Sequence, residues 1–299
     1  MQVKELPVGV FVLIIILSLI VLAAVLYSIW AFIEPHLFQV TERMLAPADK
    51  NTDFRRQYPS AISSGKAPVL RLFFFSDLHA ELCKVSKERL ISALRAAHEA
   101  SPLDAVVFGG DICNDYNTCG RGLSYLKEVS DVTKELGIPF YGVTGNHDLE
   151  FDPSDGKCHF TSLEGEQIEL RSRSSGKRII LCGVDDSGRK DRVWYKVPPV
   201  PSDCISVLVC HNPDAILHFG KDEHVDFMLS GHFHAGQLKM PFRLEFARLR
   251  TDILPHKKVV EGVFEYKGTT FFISRGLGCN AIPVRFGAIP EASVVEIYD

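Results

Sequence analysis

His232 and His234 stand two residues apart in LSGHFHAGQ (229–237), behind a Ser-Gly turn and ahead of Ala-Gly. Imidazoles that converge on one point are most simply explained by a metal ion, whereas a lone histidine in an apolar setting is ordinarily a satisfied core residue. Other apolar runs end the same way. FFFSDLH ends in Asp77 and His79, VVFGGD in Asp111, YGVTGNHD in Asn146, His147 and Asp148, and VLVCHN in His211. Three of the runs pass through glycine just before the polar residue (Gly110, Gly145, Gly231), and glycine lets a backbone turn sharply and approach a ligand closely. Asp, Asn and His without Cys argue against a structural zinc site and suit Mn²⁺, Fe²⁺, Zn²⁺ or Mg²⁺. Asp77, His79, Asp111, Asn146, His211, His232 and His234 are more ligands than one ion takes from protein while keeping water. Two ions about 3.5 to 4 Å apart, sharing one carboxylate, would use them all, clamp a phosphoryl group and supply a hydroxide nucleophile at neutral pH.

Such residues need strands to carry them. VLRLFFF (69–75), DAVVF (104–108) and PFYGV (139–143) read as strands, separated by helices at 86–100 and 123–136 that Leu90, Leu94 and Gly137 mark. Further strands are expected near 166–170, 178–184, 205–209, 225–229, 259–265, 269–274 and 293–298, with a short helix near 213–219 that opens on Pro213. Strand–helix alternation followed by a strand-rich half predicts two sheets packed face to face with helices outside. Ligands bind at strand C-termini in α/β sheets, which is where the Asp, Asn and His residues fall.

The chain has 299 residues and a net charge of −4, so no basic excess points to nucleic acid, and no protein partner is evident. Residues 8–33 carry no charge and are long enough to span a bilayer, with Tyr27 and Trp30 suited to the interface. A cleaved signal peptide would have a shorter apolar core, ending at small residues. The organisation predicted is an anchor at 1–34, an irregular or amphipathic connector at 35–68 and one domain over 69–299. Arg43, Lys50, Arg55 and Arg56 follow the apolar run, against Lys4 before it, a bias that favours the cytoplasmic side of an inner or cytoplasmic membrane for the domain. The eight cysteines include no Cys-x-x-Cys pair, and several lie in apolar runs. They read as reduced, mostly buried thiols rather than a disulfide framework.

The ordered motifs D-x-H, G-D, G-N-H-D, H and G-H-x-H resemble those of the calcineurin-like metallophosphoesterase superfamily, over roughly residues 69–298. The resemblance implies an α/β fold, a four-layer α/β/β/α sandwich of two mixed sheets, here preceded by one N-terminal transmembrane helix. It implies that Asp77, His79 and His234 bind one metal, that Asp111 bridges, and that Asn146, His211 and His232 bind the other, Mn²⁺ being the first choice. It makes His147 the catalytic histidine that contacts phosphate and helps protonate the leaving oxygen, and Asp148 the carboxylate that orients His147.

The anchor, EPHLFQVTERM, GHFHAGQ and the ending FFISRGLGCNAIPVRFGAIPEASVVEI resemble a membrane-associated branch of that superfamily, which includes the UDP-2,3-diacylglucosamine pyrophosphatase of lipid A biosynthesis. That branch has Thr and Gly where this chain has Phe233 and Ala235, so Phe233 is expected to reshape the pocket lip. The resemblance implies a phosphorylated lipid or nucleotide-sugar lipid as substrate, with the lipid bilayer as partner. A broad envelope phosphodiesterase or phosphomonoesterase is the second expectation, and a non-catalytic tethered binding protein, which would lack ligands, the third. Residues 238–258 mix basic and large apolar side chains, so they fit either a lipid-binding lid or a segment packed on the domain. Arg243, Arg248, Arg275 and Arg285 are the candidates for substrate phosphates, although Arg275 and Arg285 also fit structural salt bridges.

Overall fold

A computed structural model describes residues 7–58, 65–152, 155–184, 197, 199–220, 223–247 and 251–299. Helix α1 (Val8–Ile33) is exposed along almost its whole length and long and apolar enough to cross a membrane. Two mixed sheets follow. The first has the order β1 (Gln39–Leu45), β13 (Glu291–Ile297), β3 (Leu70–Phe75), β4 (Ala105–Gly109), β5 (Phe140–Val143), β6 (Thr161–Ser162). The second has the order β2 (Arg55–Arg56), β11 (Gly262–Tyr266), β12 (Thr269–Ile273), β10 (Phe227–Ser230), β9 (Ile205–Cys210), β8 (Arg178–Val184), β7 (Gln167–Arg171).

Strand periodicity builds the layers. Alternate side chains of a strand face opposite sides. Phe73 and Phe75 of β3 therefore pack under helices α2 (Lys87–Ala100) and α3 (Gly120–Leu136), while Leu70, Leu72 and Phe74 fill the space between the sheets. In β9, Val207 and Val209 face the first sheet, whereas Leu208 and Cys210 face outward onto turns that contain Ala215, Ile216 and Leu254. Ser86 caps α2 by accepting from Arg89 N–H, and left-handed Gly137 ends α3. Among the described residues, short 3₁₀ turns, Pro213–Leu217 and Leu254–Lys257, cover the outer face of the second sheet; the expected helix at 213–219 is one of these.

Residues 39–45 correct the expectation of an irregular connector. They form β1, paired in parallel with β13 about 250 residues later in the chain. Its cross-strand contacts are polar, Arg43 to Glu291 (2.7 Å) and Thr41 to Ser293 (2.9 Å), so no apolar alternation marks it in the sequence. The cysteine reading also needs correction. Cys113 and Cys119, with Cα atoms 5.4 Å apart, form a disulfide across the loop that follows Asp111. Spacing hid this pair, because the fold, not the sequence, brings the two ends of that loop together. Cys83, Cys158, Cys182 and Cys279 are buried thiols, as expected.

Candidate metal centre

Strands β3, β4 and β5 run parallel in one sheet, and β9 and β10 run parallel in the other. Their C-terminal ends meet at one edge of the sandwich. Asp77, Asp111, Asn146, His211 and His232 each follow a different strand end, and His79 and His234 follow two residues behind. Two clusters result: Asp77, His79, Asp111 and His234, and Asp111, His211 and His232. Asp111 belongs to both.

The ligand atoms are held by the backbone around them. Asp111 Oδ2 lies 3.3 Å from His79 Nε2 and 3.1 Å from His211 Nε2, while Oδ1 accepts from His147 N–H (2.9 Å). His211 Nδ1 donates to Gly109 O (2.7 Å), which turns Nε2 and its lone pair toward Asp111. Asp77 Oδ1 accepts from His232 N–H (2.8 Å) and Oδ2 from Ser76 Oγ (2.5 Å). Ring nitrogens of His79 and His234 face each other at 3.1 Å. Asp77 (φ 50°), His79 (36°), Asp111 (62°), His232 (72°) and His234 (49°) all adopt left-handed backbone conformations, which cost non-glycine residues on the order of 1–3 kcal/mol each. Five such residues around one point mark a site to which backbone stability has been sacrificed. Glycine serves where a ligand comes too near for any side chain: a Cβ on Gly145 would overlap Asp111 Oδ1, and one on Gly231 would overlap Asp77 Oδ2.

The donor set fits divalent ions. Buried carboxylate oxygens and imidazole nitrogens confront one another at 3.1–3.3 Å with no lysine or arginine between them among the described contacts. Asn146 Oδ1 is buried and accepts no hydrogen bond among the described residues, the state of an acceptor waiting for a cation. Burial opposes the charge on Asp111, but His211 and His79 outweigh it and hold the carboxyl well below the usual range. Asp148 is pushed up to about 7 by burial and by the charge of Asp111.

Asp148 does not orient the His147 ring as expected. Its carboxylate accepts from the backbone N–H groups of Asp111 (2.8 Å), Ile112 (2.9 Å) and Gly145 (2.9 Å), so it clamps the two ligand loops together. His147 is held instead by Asn114 O, 3.4 Å from Nδ1, and by Asn280 Nδ2, 3.3 Å from Nε2. Burial lowers its pKa. The disulfide loop carries Asn114, and Glu81 pins that loop by accepting from Asn114 N–H (2.9 Å) and Thr118 Oγ1 (2.9 Å).

The four arginines fare differently. Arg285 is fully buried, and its guanidinium donates to the carbonyls of Arg275 (2.8 Å), Ala288 (2.8 Å), Gly276 (3.3 Å) and Gly278, backing His234 Nδ1 at 3.2 Å. It is a scaffold for the 275–288 loop, with its donors spent, and not a phosphate ligand. Arg275 bonds the buried Glu291 (2.9 Å) and Gln39 (3.2 Å), a structural role as well. Arg243 is exposed at the tip of the segment after the histidine pair. Arg248 lies outside the described residues. Phe233 is fully buried in the core under the second sheet and so does not shape the pocket lip. Asp252, not singled out in the sequence, lies with Oδ1 3.2 Å from His232 Nε2, a carboxylate beside a histidine of the cluster. Its only sequence signal is an acidic residue in the basic stretch ARLRTDILPH.

Two ligand clusters joined by one carboxylate, at the strand ends of a two-sheet α/β sandwich, define a metal-dependent phosphoester hydrolase. The chain belongs to the calcineurin-like phosphoesterase family, whose sequence pattern matches residues 70–236. It is 29% identical to the Bacillus subtilis protein YpbG over 86% of this chain and 92% of that one. It is 26% identical to the phosphodiesterase YaeI of Escherichia coli, covering 79% of this chain and 85% of YaeI. A bovine transmembrane protein with a metallophosphoesterase domain is 25% identical over 78% of this chain and 56% of its own length.

Proposed function

We propose that the chain is a dinuclear phosphodiesterase or diphosphatase that works at a membrane on a phosphorylated lipid. The carrying observation is Asp111, shared by two clusters of ligands at the meeting point of both sheets. Asp77, His79, Asp111 and His234 would hold one ion, and Asp111, Asn146, His211 and His232 the other. When bound, the ions supply Lewis acidity at the phosphoryl group and lower the pKa of water toward neutrality. Mn²⁺ is the first candidate, with Fe²⁺, Zn²⁺ and Mg²⁺ as the alternatives that an Asp/Asn/His set without thiolate also suits.

His147 completes the site. Asn114 O keeps the proton on Nδ1, so Nε2, which faces Asn280 Nδ2 at rest, is the atom that substrate would meet in place of that amide. In the resting site, burial favours the neutral ring. The negative charge of an arriving phosphoryl group favours the imidazolium and places a proton at Nε2 for the leaving oxygen.

UDP-2,3-diacylglucosamine is the first substrate to try, because the anchor and the C-terminal Arg-Gly-Leu-Gly and Pro-Val-Arg-Phe stretches resemble a membrane-associated branch, one member class of which cleaves it. A second reading, an envelope phosphodiesterase on the oxidising face of the membrane, is favoured by one observation. Disulfides such as Cys113–Cys119 persist in oxidising compartments, against the cytoplasmic orientation suggested by the basic residues. Detergent-solubilised protein with Mn²⁺, assayed for UMP release beside bis-p-nitrophenyl phosphate, tests both. UMP release supports the first reading; hydrolysis of the diester alone, with Cys113 and Cys119 protected from alkylation in cells, supports the second. Turnover of neither substrate by metal-loaded enzyme would overturn the proposal.

A further inference from the structure

Helix α1 does not simply tether the domain. Its last turns are bonded into the wall of the metal centre. Arg285 N–H donates to Ala31 O (2.9 Å), one of the carbonyls a helix end leaves unpaired. The buried carboxylate of Glu34 accepts from Gly287 N–H (2.9 Å), from Ala288 N–H and from Trp30 Nε1 (2.7 Å). Tyr27 stacks on Phe286 with ring centroids 4.0 Å apart. The loop gripped in this way, 275–288, is the one that brings Asn280 to His147 and Arg285 behind His234.

A second segment is zipped to that loop. Phe286 N–H donates to Gln237 O (2.8 Å), Lys239 N–H to Phe286 O (3.0 Å), and Gln237 Nε2 to Asn280 O (3.0 Å). These two segments display Met240, Phe242, Leu244 and Ile282 to the outside, Phe242 with 95% of its surface exposed. Phe242 and Arg243 also hold left-handed backbones (φ 58° and 57°). A phenylalanine kept fully in water on a strained turn forgoes roughly 1.5–3 kcal/mol of burial, and clustered exposed apolar residues mark an interaction surface.

The anchor sets the depth of that surface. Helix residues rise 1.5 Å each, so Tyr27, six residues before Ile33, lies about 9 Å back along the spanning helix. Phe286 stacked on Tyr27 therefore sits level with the helix, at the height where Tyr and Trp occupy a membrane interface. Arg243, beside Phe242, matches anionic headgroups at that height.

We propose that segments 237–247 and 275–288 form a rim seated in the bilayer surface, with Met240, Phe242, Leu244 and Ile282 in the headgroup layer of the leaflet from which α1 emerges. The rim holds the mouth of the metal centre against that leaflet, so the substrate is an amphiphile whose phosphoester is presented from the bilayer. The substrate half of this inference rests on the phosphoesterase reading; the rim does not.

The test uses the full chain with Phe242→Trp in nanodiscs of phosphatidylcholine and phosphatidylglycerol, with and without brominated acyl chains. The emission gained over the parent protein reports residue 242. Brominated lipid is expected to quench it at least about twofold, as for an interfacial aromatic, and to leave Lys177→Trp, at the opposite end of the strands, unquenched. An unquenched indole at position 242 overturns the rim. In a second arm, Phe242→Asp with Leu244→Asp is expected to lower the ratio of vesicle-borne phosphodiester hydrolysis to bis-p-nitrophenyl phosphate hydrolysis about tenfold. An unchanged ratio overturns delivery from the leaflet. A parent enzyme that cleaves neither substrate would remove the phosphoesterase reading while the quenching result still stands.

Discussion

The two halves of the metal centre share Asp111 but are enclosed differently. Asp77, His79 and His234 are buried throughout, backed by Ser76, Arg285 and the 275–288 loop. On the other side His232 and Asn146 are only half-buried, and Asp252 reaches His232 from the segment of short turns beyond residue 238. One half is therefore formed by strand ends and a loop clasped to helix α1. The other is completed by a residue from a peripheral segment. Burial and prior constraint should make the first half the tighter site, and the second the one that loses metal first.

Asp111→Ala is the strongest way to erase the distinction. It removes a ligand from both halves, and metal analysis should find neither ion held stoichiometrically, with turnover at background. Retention of one full equivalent would mean that Asp111 does not bridge. His147→Ala should instead leave both ions in place and lower kcat by about 10²–10⁴-fold, the usual weight of a general acid. Metal loss in that variant would show that His147 supports the cradle and not the leaving group.

Asp252→Ala sharpens the comparison. Loss of a carboxylate that orients a ligand histidine weakens metal binding by about 10–100-fold, and calorimetric titration should show that loss in one of two sites only. Equal weakening of both would make the halves one cooperative unit. The smallest effect is expected from Arg243→Ala: a change of a few-fold, about 1 kcal/mol or less, in activity on vesicles containing anionic lipid, seen at low salt and absent with a soluble diester. An equal loss on both substrates would place Arg243 in the site itself.

Much of this was legible in the sequence. Each ligand follows an apolar run that buries both faces of a central strand, so β3, β4, β5, β9 and β10 and the residues behind them could be read directly. Long-range or carbonyl-mediated contacts could not. β1 declares itself only beside β13, the Cys113–Cys119 pair only once its loop is closed, and Asn114 acts on His147 through a carbonyl that every residue type possesses. Arg285 misled because a guanidinium suited to phosphate is equally suited to a ring of carbonyls. Asp148 misled because a carboxylate next to a histidine of the site can serve the backbone on its other side.

The grip of Glu34 on Gly287 and Ala288 bears on how the protein can be made in soluble form. Trimming such a chain just after its apolar helix is the usual way to avoid detergent. Here a cut that removes Ala31 and Glu34 would strand three backbone N–H groups of the loop that backs His234, and would leave Phe286 without its stacking partner. The shortened protein would still contain every metal ligand, yet its loop would be free to drift. A weak or inactive soluble fragment would then reflect the place of the cut, and a start ahead of Tyr27, kept in mild detergent, is the safer choice.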